Sequence, residues 1–169
     1  MKRITIVFLS VFLLLCGLLV AGLRINGTHS EPVGLYWAIG KRPQKGDLVF
    51  VTAPSLPIFA LAKERGYLNV GFSATAHLIK RLVGIAGDRV TIDAAGVEIN
   101  GLRLTNSTPL TKDGAGRPLR CFPIRNYILG SHEVLLMSEY SPASFDGRYF
   151  GPLQATTIQS VITPILTWN

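Results

Sequence analysis

Residues 78–89 read LIKRLVGIAGDR, an apolar, β-prone run with a lysine inside it and a Gly-Asp turn at its end. Alternation places Lys80 on the face of Leu78 and Leu82, with Ile79, Arg81 and Val83 opposite. A lysine on an apolar face has two outcomes. Its ammonium snorkels to water along its own stem, or it is desolvated and its pKa falls toward the range of a general base. The stretch alone leaves both open, yet it decides the fold class, because the same pattern continues around it. AHLIKRLVGI at 76–85, DRVTIDAAGVEINGLRL at 88–104 and HEVLLMSE at 132–139 are β-branched and apolar runs. They are cut at Gly87-Asp88, at Ala95-Gly96 and at Asn100-Gly101, the last a good hairpin dipeptide.

Upstream, LYWAI and LVFV read as further strands, and SLPIFALAKERGYL has helical spacing from Phe59 to Arg65 with Gly66 as its stop. Residues 24–34, RINGTHSEPVG, read as a loop, and residues 106–126 as a polar, proline-containing excursion. The expected fold is mainly β: an antiparallel sheet coiled into a barrel-like domain with one or two short helices.

The front of the chain is different. Met1-Lys2-Arg3 precedes ITIVFLSVFLLLCGLLVAGL, residues 4–23, twenty residues without a charge and long enough to cross about 30 Å of hydrocarbon. A cleaved signal peptide has a shorter apolar region of about 7–15 residues and a small-x-small cleavage site, whereas this run ends VAGLR. The reading is a retained anchor or uncleaved signal segment over 1–24, followed by one domain over 25–169. Lys2 and Arg3 then stay in the cytoplasm, and everything after Arg24 lies on the far side.

Seventeen basic against ten acidic residues give a net charge of +7, but no basic run exceeds two residues and no basic stripe with aromatics appears. That argues against a nucleic-acid partner and fits a domain held beside anionic lipid headgroups. Cys16 sits in the apolar segment and Cys121 beyond it, so the topology forbids pairing them. His29, His77 and His132 are isolated, without metal-ligand spacing, and no cofactor is implied.

Three stretches carry chemistry. In THSEPVGLY (28–36), Ser30 precedes a Pro/Gly turn that cannot be ordinary helix; it is a turn serine or an exposed, fixed nucleophile. Lys80 is the second. In SFDGRYFGP (144–152), Ser144 and Asp146 are two apart in a strand or tight turn, and Arg148 can pair with the aspartate.

Taken together and in this order behind an apolar segment, SEP, LIKRLVGIAGD and SFDGRYFG resemble the three boxes of the type I signal peptidase (leader peptidase) superfamily. NGTHSEPVGLYW and PASFDGRYFGP, with the small size, resemble its conjugative-transfer (TraF) branch. The resemblance implies a serine endopeptidase with Ser30 as nucleophile, Lys80 as base and Asp146 as a third catalytic residue. Thr28 would help hold the oxyanion, Ser144 would aim the Lys80 amine, and Arg148 would hold Asp146. It implies a single-pass protein of a bacterial inner membrane, with its site in the periplasm and lipid around its anchor. The substrate would be a TrbC-type prepilin that is cleaved and, in some members, cyclised. Typical leader peptidases carry methionine after the serine; Glu31 stands there here, which bears on the shape of the cleft. A general leader peptidase and a non-catalytic pilus-assembly protein are the alternatives.

Overall fold

The computed structural model describes residues 2–70 and 75–168. Helix α1 (Lys2–Ala21) is long and apolar enough to cross a membrane, and its apolar side chains are exposed. The Lys2 and Arg3 side chains, on which the orientation reading rests, lie outside the described residues. The helix ends at Gly22, whose φ of +133° suits glycine. Gly22 N donates to the Leu18 carbonyl at 3.1 Å, and its own carbonyl accepts from Ala38 N at 2.9 Å. Arg24 Nη1 folds back onto the Leu19 carbonyl at 2.9 Å, a cation on the last turn where the helix dipole is negative.

The chain then enters β1 (Leu23–Asn26), paired antiparallel with β2 (Val33–Ile39). The loop expected over 24–34 therefore starts as a strand. Four residues are too few to show a period, and the pairing partner lies beyond the turn. Next come β3 (Leu48–Thr52), α2 (Pro57–Glu64), β4 (Asn69–Val70) and β5 (Ala76–Gly84). Proline at the start of α2 costs no helical hydrogen bond, and the helix buries Phe59 and Ala62, about 1.5–3 kcal/mol for a side chain such as Phe59. The hairpin strands β6 (Arg89–Asp93), β7 (Gly96–Ile99) and β8 (Leu102–Arg103) follow. Asn100 and Gly101, at φ 52° and 83°, make the turn their dipeptide predicts.

After the excursion come β9 (Ile124–Ile128), β10 (Glu133–Met137), the one-turn helix α3 (Gly147–Phe150), β11 (Leu153–Gln154) and β12 (Ile158–Trp168). The larger sheet runs β1-β2-β12-β3-β5-β10-β11, with β4 also on β5; the smaller runs β8-β7-β6-β9. Every pairing is antiparallel, and the architecture is the mainly β, coiled-sheet fold expected. Strand β12, which sits between β2 and β3, was not legible. Its sequence IQSVITPILTW contains Pro164, and the chain accommodates it at a register shift between Pro164 and Leu166.

Core residues divide by face. Val49, Val51, Leu78, Leu82 and Leu136 pack with Phe59, Phe145 and Phe150, while Tyr36, Ile79 and Ile162 pack separately. Lys80 lies in β5 between these apolar neighbours, opposite Val49.

Candidate active site

Lys80 is 2% exposed. Among the described residues its Nζ makes one hydrogen bond, to the Ile79 carbonyl at 3.1 Å. Burial dominates its titration and lowers its pKa to about 8; the charges of Asp146 and Glu31 oppose that fall, and Arg148 adds to it. Of the two outcomes open to this lysine, the fold realises the desolvated one.

Ser30 lies in the loop from β1 to β2, and Asn26 shapes that loop. Asn26 is 2% exposed. Its Oδ1 accepts from Thr28 N at 3.0 Å and from Thr28 Oγ1 at 2.9 Å, closing an Asx turn. Its Nδ2 donates to the carbonyls of Thr28 (3.0 Å), Glu31 (2.9 Å) and Pro32 (3.0 Å). With the backbone so fixed, Ser30 is half-buried and its Oγ lies 3.5 Å from Thr28 Oγ1. A cavity of about 410 Å³ is lined by Thr28, Ser30, Ser144, Phe145 and Tyr149, so the two serines share one space.

The third element is the corner at 144–150. Asp146 caps the N-terminus of α3, accepting from Arg148 N at 3.2 Å. Arg148 is fully buried and bidentate to Asp146, with Nε to Oδ1 and Nη2 to Oδ2 both at 2.8 Å. Its remaining donors reach the carbonyls of Pro142 (2.7 Å), Asn106 (2.9 Å) and Ser144 (3.0 Å). Gly147 is required by close approach: a Cβ there would stand 2.8 Å from Leu135 Cδ1 and 2.9 Å from the Leu136 carbonyl. Phe145 locks the corner into an aromatic cluster, its ring centroid 5.5 Å from Phe150 and 5.9 Å from Phe59. Ser144 and Asp146 thus lie on a turn entering a helical turn and not on a strand. Among the described residues Ser144 Oγ, although buried, has no hydrogen-bond partner.

Ser138 links the loop to the corner. Its Oγ donates to the Ser30 carbonyl, and its N–H donates to Asp146 Oδ2 at 3.1 Å. Lys80 Nζ is hydrogen-bonded to neither Ser30 nor Ser144, and the two hydroxyls open onto the same cavity without bonding one another. Such bonds often tighten only around substrate.

Sequence reasoning missed Asn26, Ser138 and the burial of Glu31. Asn26 stood inside an Asn-Gly-Thr tripeptide read as loop, although an asparagine two before a threonine is an Asx-turn signal. Ser138 gave no local signal, since its partners lie over a hundred positions away and eight positions ahead. Burial pushes the Cys121 thiol up, with Asp93 adding to it, which is the reverse of an activated thiolate. His29 is exposed at the cavity edge.

A crystal structure of a signal peptidase I from Enterococcus faecalis V583 aligns with a TM-score of 0.42 at 20% identity, over 73% of this chain and 98% of that one. A plasmid transfer protein TraF of Escherichia coli is 43% identical over 167 residues, covering 98% of this chain and 94% of its own length. A second Escherichia coli plasmid transfer protein TraF is 45% identical over 151 residues, covering 88% of this chain and 85% of its own. The family model described as signal peptidase, peptidase S26, matches residues 1–167. With that match across almost its whole length, the chain belongs to the signal peptidase family, peptidase S26.

Proposed function

We propose that the chain is a membrane-anchored serine endopeptidase with a Ser30–Lys80 dyad that processes an exported precursor, the TrbC-type prepilin of a plasmid conjugation system. The observation that carries this is a fully desolvated lysine with a pKa of about 8, next to a loop whose serine opens onto a cavity. A neutral amine is then available near physiological pH, which an exposed lysine cannot supply.

In this reading Ser30 Oγ attacks the scissile carbonyl while Lys80 Nζ takes its proton. The tetrahedral oxyanion is met by Ser30 N–H and by the Thr28 hydroxyl, which turns from Asn26 Oδ1 to do so. Collapse expels the amine leaving group, protonated from Lys80, and leaves an ester on Ser30. Ser144 Oγ, otherwise without a partner, receives the Lys80 amine and aims it; Asp146 and Arg148 fix the corner that presents Ser144. Water then releases a cleaved pilin, whereas attack by the pilin's own N-terminal amine closes a ring. The relatives' names, plasmid transfer protein TraF, support the conjugation context; α1 supports an anchor, and Lys2-Arg3 ahead of the apolar run favours a site on the periplasmic side.

The test is processing of the cognate prepilin by wild type, Ser30→Ala and Lys80→Ala, read by intact mass of the product. Loss of processing in both variants is expected, by about 10⁶-fold if this dyad behaves as other serine peptidases do without their nucleophile or base. A product lighter than the cleaved pilin by one water means cyclisation. Normal processing without Ser30 would end the peptidase reading.

A further inference from the structure

Past Ser30 in the loop, Glu31 and Pro32 line a second cavity of about 410 Å³, which shares no lining residue with the first. It is far larger than the ~30 Å³ of one water, so a single ordered solvent molecule does not fill it. Two of its lining residues carry opposite charges. Glu31 is 3% exposed, and among the described residues its Oε1 has no hydrogen-bond partner. Arg81 comes from β5, where alternation puts it on the face away from Lys80, and gives its Nη1 to the Gly46 carbonyl at 2.7 Å. Among the described residues no ion pair joins Glu31 to Arg81 or engages either of them. Asp47, the remaining charge in the lining, is already satisfied by Lys41 Nζ at 2.8 Å and Gln44 N at 2.9 Å.

A buried carboxylate with an orphaned oxygen is costly, and here a guanidinium lines the same cavity without relieving it. A ligand that is only a cation would meet Arg81, and one that is only an anion would meet Glu31. A zwitterion with N–H donors at one end and an anionic group at the other satisfies both.

The cavity's place in the fold selects among zwitterions. Ile39 lines it, and the neighbouring Ala38 N donates to the carbonyl of Gly22, where α1 ends. Val161 and Ile162, also in the lining, pair with Ile39 and Ala38 on that same level. From Ile39 to Tyr36, deeper in the lining, is three residues of strand, about 10 Å. With α1 in a bilayer, the cavity thus opens from the end of the apolar rod across a headgroup layer about 5–7 Å deep. There the abundant anion is phosphate, whose geometry the planar Arg81 fork matches.

We infer that this cavity is a binding site for an aminophosphate zwitterion, the phosphoethanolamine headgroup of a bilayer lipid, with its ammonium on Glu31 and its phosphate on Arg81. The inference rests on α1 as the membrane anchor and not on the Ser30–Lys80 reading. The lipid bonds the loop residue next to Ser30, so it ties that loop to the membrane surface from the side away from the first cavity.

The probe is short-chain phosphatidylethanolamine, added to the full-length protein in detergent and counted by native mass spectrometry. Phosphatidylcholine and phosphatidylglycerol of the same chain length are the comparisons. The first keeps the positive charge but has no N–H to give, and the second keeps the phosphate without the cation. Wild type should take one phosphatidylethanolamine per chain, about 10- to 10²-fold more tightly than either. Glu31→Gln should erase that preference, and Glu31→Asp, which keeps the carboxylate, should retain it. Arg81→Met should weaken all three lipids and leaves the buried glutamate in place, so it serves if the glutamine variant folds poorly. Equal binding of the three lipids by wild type, or a preference that survives Glu31→Gln, would overturn the inference. Free phosphoethanolamine binding as tightly as the lipid would keep the zwitterion site and overturn its assignment to the bilayer. Ser30→Ala should bind the lipid as wild type does, so failure of the peptidase reading would leave this result standing.

Discussion

The two regions flanking Lys80 are built on opposite terms. In the corner every donor of Arg148 and both oxygens of Asp146 have partners, and Phe145, Tyr149 and Phe150 seal them in. In the Ser30 loop the backbone is equally well held, by Asn26 and Ser138, but the functional side chains are not. Among the described residues Ser30 Oγ has a long 3.5 Å contact, and Glu31 Oε1 has no hydrogen-bond partner. Ser144 Oγ, at the border of the two, has none either. Satisfied hydrogen bonds mark the frame, and unsatisfied ones mark the groups left free to react, so the cost of the site falls on a few atoms.

The hardest blow to this contrast is Asp146→Ala. It strands the Arg148 guanidinium in a dry site, and the expected loss is about 3–5 kcal/mol of unfolding free energy, read from urea midpoints in detergent. A loss below about 1 kcal/mol would mean the corner is not the frame.

Lys80→Met sharpens the contrast from the other side, because it should stabilise the fold while abolishing processing. The folded pKa of about 8 lies below the ordinary 10.5, so the native state disfavours the protonated lysine. That cost is fully present below about pH 8 and fades as pH rises toward 10.5. Its removal is expected to gain on the order of 3 kcal/mol at pH 7 and nearly nothing above pH 10.5, checked by thermal melts at both. A variant less stable than wild type at pH 7 contradicts the desolvation.

Activity should follow the same titration. With a base of pKa about 8, kcat/KM should climb through that pH, standing at pH 7 at about a tenth of its alkaline plateau. A flat profile from pH 6 to 9 would place the working base elsewhere. The smallest expected change in stability is for Ser144→Ala, within about 0.5 kcal/mol, because its hydroxyl gives up no hydrogen bond. Its kcat should nonetheless fall by about 10- to 10²-fold through misplacement of the amine.

What the sequence showed and what it hid divide along chain distance. The strand carrying Lys80, the Asn100-Gly101 hairpin, the short helix after Pro57 and the pairing of Asp146 with Arg148 are all local patterns, and each was legible. So were Ser30 and Ser144 as candidates, through the motif they sit in. Strand β12 was hidden because Pro164 breaks its pattern and its stability comes from β2 and β3, far away in the chain. The role of Ser138 and the burial of Glu31 were hidden because distant elements create them. No spacing rule announces that a glutamate in a Pro/Gly loop will be buried.

The joint between α1 and β1 has a consequence for what the site can reach. Gly22 ties the end of the helix to Ala38, and Arg24 clasps the helix's last turn, so no slack separates the apolar rod from the sheet. Seated in a bilayer, that joint works as a depth gauge. Ser30 would ride at a set altitude over the hydrocarbon, and under the proposed function a peptide bond would be admitted or refused by its height before any side chain is read.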